Sequence, residues 1–150
     1  MNCIFFGHHD APSEIKASIK RAIFLLYQKE HIQNYYVGNN GKFDYYVQCI
    51  LKEMINDGID ICFNIVLSNL NETALSGYQY DTVFPEGLEN TPKRFAIAKR
   101  NDWLIRNGSF LIAYVKNPFS NSKKWFEKAL KRGIQVINLA EENQDEHFLF

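Results

Sequence analysis

The chain has 150 residues, with 17 Lys+Arg against 17 Asp+Glu, 46% hydrophobic and 15% aromatic side chains. That size suits a single domain with one hydrophobic core over residues 1–150, and the composition excludes a disordered chain. The zero net charge argues against a protein that coats nucleic acid, no apolar run approaches the roughly 20 residues of a membrane span, and the first ten residues lack the basic and long apolar regions of a secretion signal, which points to the cytoplasm.

Periodicity switches regularly along the chain. Residues 2–6 are a short apolar run ending at Gly7 and read as a strand. Ser13 is placed to cap a helix over 13–30, with Glu14 in its first turn and Ile15, Ile19, Ala22, Ile23, Leu26 and Tyr27 at helical spacing. Residues 33–37 read as a second strand, ending at Gly38. Asp44 can cap a second helix carrying Val47, Ile50, Leu51 and Met54, closed by Gly58. Residues 59–67 read as a third strand. Residues 68–90, rich in Asn, Ser, Gly and Asp, form a long loop in which 80–84 has strand character.

Thr91 and Pro92 then read as the N-cap and first position of a helix with Phe95, Ala98, Leu104 and Ile105, stopped by Asn107-Gly108. Residues 109–115 are a near-continuous apolar run, as a buried parallel strand requires. Asn121 or Ser122 caps a fourth helix through Trp125, Phe126, Ala129 and Leu130, closed by Gly133. Residues 135–139 are the last strand, and 141–150 an acidic, solvated tail. Strands alternating with helices imply an α/β fold. The expected form is a three-layer, open, mostly parallel Rossmann-like sheet of about five strands with helices on both faces.

Such sheets bind ligands outside the carboxyl ends of their strands, so the loops after strands are the candidate sites. In the first, Gly7 permits close backbone approach to a ligand, and His8 and His9 follow. Adjacent histidines cannot both face one ion, and no further ligands stand at usable spacing, so no metal is expected. Cys3, Cys49 and Cys62 are odd in number and widely spaced, and read as buried, reduced thiols. In the second loop, Gly38, Asn39, Asn40, Gly41 and Asp44 can cradle an anion between backbone N–H groups and a helix N-terminus, or form a plain turn. Asp44 is either an N-cap or the partner of a ribose hydroxyl. In the long loop, Glu86 is a weak candidate acid or base, or an exposed turn carboxylate.

On the helix over the nineties, Arg94 and Arg100 stand six apart, about 240° net, and so are expected to face different sides. Trp103 and Trp125 read as core packing rather than stacking platforms.

Gly7-His8-His9, then Gly38-Asn39-Asn40-Gly41 leading to Asp44, then Arg100-Asn101-Asp102-Trp103-Leu104-Ile105 before the strand at Phe110-Leu111-Ile112-Ala113-Tyr114, together resemble the SLOG superfamily. This is the Rossmann-like group of DprA and the cytokinin-activating LOG enzymes, and the YpsA-like branch is the most similar. The resemblance spans residues 2–139. It implies a pocket for a nucleotide or nucleotide derivative, with no other cofactor required. Carried over by position, the pocket would use Gly7 and His8, Gly38, Asn39, Gly41 and Asp44, Arg100 and Asn101, and the loop Ser120-Asn121-Ser122 at the phosphate.

That last loop departs from the pattern. LOG-like enzymes carry Pro-Gly-Gly-x-Gly-Thr and then a glutamate, where this chain has Asn117-Pro118-Phe119-Ser120-Asn121-Ser122-Lys123-Lys124-Trp125. Ser122 can replace the threonine hydroxyl. Trp125 falls near the glutamate position, and Glu127 lies about 200° further round the helix. Phosphate binding can survive this change, whereas the carboxylate that cleavage of an N-glycosidic bond requires is not recognisable. The first reading is therefore a nucleotide-binding sensor module. The alternative is an N-glycosidic-bond enzyme of the phosphoribohydrolase or deoxyribosyltransferase kind.

Charge is unevenly placed. Residues 91–133 hold eleven basic and two acidic side chains, and the remainder carries the balancing acidic excess. A basic segment at the phosphate edge favours a small anionic ligand. The same bipolarity leaves head-to-tail homo-oligomers open.

Overall fold

A computed structural model describes residues 1–68 and 82–141. Six parallel strands form one sheet: β1 (Asn2–Gly7), β2 (Asn34–Val37), β3 (Cys62–Val66), β4 (Thr82–Val83), β5 (Phe110–Tyr114) and β6 (Gln135–Asn138). Their order is β4-β3-β2-β1-β5-β6. The helices among the described residues are four: α1 (Lys16–Glu30), α2 (Lys42–Asn56), α3 (Lys93–Asn107) and α4 (Asn121–Lys131). The fold is thus the three-layer α/β arrangement the alternation implies. Its sixth strand comes from the stretch 80–84, of which Thr82 and Val83 pair with β3.

Side chains alternate across the strands, and each face buries its own set. Cys3, Phe5, Tyr35, Val37, Phe63, Ile65 and Ile112 pack under α1 and α2 through Ile19, Ile23, Leu26, Val47 and Leu51. Ile4, Phe6, Leu111 and Ala113 pack under α3 and α4 through Leu104, Ile105, Trp125, Phe126 and Ala129. The sheet grows from β1 to β4 on one side and then resumes at β5 on the other. Reversing direction while keeping right-handed crossovers moves the helices to the opposite face. Trp125 stacks on Phe6 with ring centroids 6.4 Å apart, and Trp103 meets Tyr36 edge-on at 5.1 Å, so both indoles pack as expected.

Helix starts differ from the sequence expectation. Ser13 does not cap a helix: Ser13–Ile15 is a 3-10 turn entered from Pro12 with no side-chain cap, and α1 begins at Lys16. Asp44 is not an N-cap either, because Gly41, at φ +102°, starts α2 earlier and leaves Asp44 in its first turn. At α3 the N-cap is Pro92, one residue past Thr91. At α4 it is Ser120, rather than Asn121 or Ser122, and its Oγ accepts the Lys123 N–H at 3.2 Å. The third strand is shorter than 59–67 because a tight Ile59–Ile61 turn precedes Cys62. The thiols are not uniformly buried. Cys3 is buried, and burial pushes its pKa up; Cys49 is half-buried; Cys62 is exposed and donates to Asn34 Oδ1. Residues 69–81 and the tail beyond Glu141 lie outside the described residues. No helix among the described residues is long and apolar enough to cross a membrane.

The crossing of β1 and α2 is the tightest contact near the site. A Cβ on Gly7 would stand 2.2 Å from Cγ of the fully buried Phe43. Gly7 therefore makes room for a core ring. Gly7→Ala should cost about 1–3 kcal/mol by overpacking, read as a lower denaturant midpoint at constant slope. Adding Phe43→Leu should restore part of the loss. An unchanged midpoint in Gly7→Ala would contradict the packing described.

Candidate functional site

The carboxyl ends of β1, β2 and β5 open on a cavity of about 960 Å³. It lies where strand order reverses, beside β1 and β5, because loops leaving these two strands run to opposite faces. The loop after β1 contributes Gly7, His8, His9, Asp10 and Pro12. The loop after β2 and the start of α2 contribute Gly38, Asn40 and Asp44. The loop after β5 and the start of α4 contribute Lys116, Asn117, Ser120, Asn121, Ser122, Lys124 and Trp125.

Helix α3 covers one side with Arg94, Ile97, Ala98, Asn101 and Leu104, a single stripe at helical spacing, and with Arg100 beside it. Arg94 and Arg100 therefore reach one cavity, against the expectation from their angle. Angular separation describes Cβ directions, and two long side chains can bend toward a wide opening from either side of a stripe.

Hydrogen bonds between loops hold the cavity's shape. His8 Nε2 accepts the backbone N–H groups of Lys116 at 2.8 Å and Asn117 at 3.2 Å. The imidazole also sits edge-on to the Tyr114 ring, centroids 5.6 Å apart. Ser122 Oγ donates to the Gly7 carbonyl at 3.0 Å, which docks α4 on β1. Its hydroxyl proton is committed there, not to a phosphate. Ser120 Oγ donates to the Asn117 carbonyl while accepting from Lys123, so it too serves the loop. The backbone N–H groups of Asn121 and Ser122, in the first turn of α4, have no intrahelical carbonyl to meet and stand at the positive end of its dipole.

The first two loops are joined by the Lys42 N–H, which donates to the His9 carbonyl at 2.8 Å. Gly41 is required for this approach: its φ is +102°, and a Cβ there would stand 2.7 Å from His9 Cα. Gly41 and Asn39 do not line the cavity, whereas Asn40 does.

Among the described residues, Arg100 and Asp44 are the buried charges, 4% and 7% exposed. Asn101 Oδ1 accepts from both Nε and Nη2 of Arg100, at 3.3 and 3.2 Å. Asp44 Oδ2 accepts the Asn40 N–H at 3.0 Å. A Cβ on Gly38 would stand 2.7 Å from Asp44 Oδ2 and 2.9 Å from Arg100 Nη1, so glycine is what lets carboxylate and guanidinium meet the backbone at one point. Nη1 of Arg100 is buried and has no hydrogen-bond partner among the described residues. An unsatisfied buried donor on a cation is costly, and Arg100 lines the cavity.

Other chemistry-bearing residues fall elsewhere. Glu86 is exposed and does not line the cavity. Of the basic residues in 91–133, Arg94, Arg100, Lys116 and Lys124 line it, opposed by Asp10 and Asp44. The remainder sit outside, among them Lys128, which pairs with Asp102. Motif reasoning missed Arg94, Lys116 and Lys124. The stripe 94, 97, 98, 101, 104 was the available signal for the first. Among the described residues, no three His, Cys, Asp or Glu side chains gather as a metal site. No family model matches the chain, and no curated protein is significantly similar to it.

Burial lowers the His8 pKa from 6.5, partly offset by the negative charge of Asp10. A histidine more easily protonated when unfolded stabilises the fold above its unfolded pKa, and that stability is lost as pH falls through the folded value. The melting temperature of the wild type should therefore drop on acidification below about pH 6.5. His8→Gln, whose Oε1 can accept the same N–H groups without titrating, should lose part of that dependence. Equal pH profiles for the two proteins would contradict the role given to Nε2.

Proposed function

We propose that the protein binds a nucleotide or nucleotide derivative across the carboxyl edge of its sheet, as a ligand-binding or sensor module related to the SLOG superfamily. One observation carries the reading: the buried Arg100 guanidinium, with an unpartnered Nη1, lines a cavity at the reversal of strand order. A cation held there without its full set of acceptors suits a phosphate. Arg94, Lys116 and Lys124 add positive charge around the opening, and the first turn of α4 adds N–H groups. Asp44 and Asp10 supply acceptors suited to ribose hydroxyls. Ile97, Leu104 and Trp125 supply apolar wall for a base.

The order of the sequence motifs supports the SLOG relationship. The loop Asn117–Ser122 lacks the glycines and the following glutamate of LOG-like enzymes, and Trp125 packs on Phe6, so binding is favoured over hydrolysis.

Nucleoside mono- and diphosphates should raise the melting temperature, because a ligand at about 100 times its Kd stabilises by roughly 2.7 kcal/mol. Arg100→Lys keeps the charge but not the fork and should weaken binding about tenfold. The exposed variant Lys116→Ala should weaken it by a smaller factor and leave the fold intact. No shift with any nucleoside phosphate, or an equal shift in the Arg100 variant, would overturn the reading. Free base accumulating during incubation would replace the sensor module with the N-glycosidic-bond enzyme.

A further inference from the structure

Two consecutive backbone N–H groups, of Lys116 and Asn117, converge on one acceptor, His8 Nε2, at 2.8 and 3.2 Å. Paired amides of this kind are the arrangement that holds an anionic oxygen in oxyanion-type sites. A neutral imidazole nitrogen is a weaker acceptor for them than a charged oxygen. Acceptance at Nε2 puts the ring proton on Nδ1. Arg100, whose buried Nη1 has no hydrogen-bond partner among the described residues, lines the same cavity, so the amide pair is not the site's only donor for an anion.

We propose that His8 and a tetrahedral oxyanion compete for the amide pair of Lys116 and Asn117, so that anion binding at this pair is accompanied by uptake of one proton from solvent at His8 Nε2. This rests on the nucleotide reading only in that the cavity accepts a phosphate-type group. When an anionic oxygen takes the two N–H bonds, the imidazole leaves them and its Nε2 lone pair is freed beside a negative charge. Both changes favour the imidazolium. The proton that binds makes His8 a cationic partner of the anion, so the displaced group becomes part of the site.

The charges around His8 set the scale of this coupling. His9 and Asp10 belong to its own loop, Tyr114 and Lys116 come from β5 and the loop after it, Lys124 from α4 and Arg94 from α3. Asp44 and Arg100 complete the charged lining from α2 and α3. Burial opposes the proton on His8 and Asp10 favours it; an anion bound beside the ring would add to the favourable side. Burial keeps the ring neutral near pH 7, which is the state from which uptake begins.

Sulfate is the probe, because it stays dianionic across the range while phosphate titrates within it. Sulfate affinity should rise as pH falls from about 7.5 to 5.5, by up to about tenfold per unit between the His8 pKa of the sulfate-bound protein and the lower one of the free protein. In His8→Gln the rise should be lost or much reduced. Nitrogen NMR of the wild type gives an independent readout: near pH 6.5, saturating sulfate should convert His8 Nε2 from unprotonated to protonated. Equal pH slopes in the two proteins, or a His8 Nε2 that stays unprotonated in saturating sulfate, would overturn the inference. If nucleotides still stabilise the protein under that outcome, the binding function stands without the proton coupling. If neither sulfate nor any nucleotide binds at any pH, both fall.

Discussion

Strand β1 pairs with β2 along one edge and with β5 along the other, and both of its faces are covered. The chain leaves its carboxyl end at Gly7 toward α1, on one face, whereas the neighbouring β5 leads to α4 on the other. The two loops must diverge, and the space between them is the cavity. What keeps that space in one shape is a small set of cross-loop bonds: His8 to the Lys116 and Asn117 N–H groups, Ser122 to the Gly7 carbonyl, and Lys42 to the His9 carbonyl. Each joins segments that meet only because β1 sits in the middle of the sheet.

Electrostatics gives this cavity its chemistry. A neutral chain concentrates positive charge in residues 91–133, and the fold turns only part of that excess toward the opening. Arg94, Arg100, Lys116 and Lys124 line it, while Lys128 pairs with Asp102 outside. Most surface lysines contribute little to stability or binding. Arg100 differs because it is buried, oriented by Asn101 and set beside Asp44 across Gly38. Its guanidinium is largely desolvated, so an anionic oxygen bonded to it would gain more there than at the exposed lysines.

The layers of the fold were legible because their signals are strong and local. The runs at 2–6 and 109–115 are apolar on both faces, as central parallel strands must be, and the helical stripes of α2 and α4 end just before Gly58 and Gly133. Helix starts were less legible. Ser13, Asp44, Asn121 and Ser122 are all good capping types, but the cap is chosen by backbone conformation, which Pro12, Gly41 and Ser120 supply instead. In the site, the strand-end residues Gly7, His8 and Gly38 fall at the cavity because strand ends do. Their roles differ from the expectation: Gly7 makes room for Phe43, and Gly38 for Asp44 and Arg100. The bond from His8 to Lys116 joins positions 108 residues apart, and nothing local in the sequence announces it.

The central claim is that a nucleotide sits across the carboxyl ends of β1, β2 and β5. Amide chemical-shift mapping with a nucleoside monophosphate tests it most directly. The account predicts changes concentrated in the loops after these strands and on the cavity stripe of α3, at His8–Asp10, Gly38–Asp44, Arg94–Asn101 and Lys116–Lys124. Changes confined to the amino ends of the strands or to the outer surface of α1, with these four segments unmoved, would contradict it.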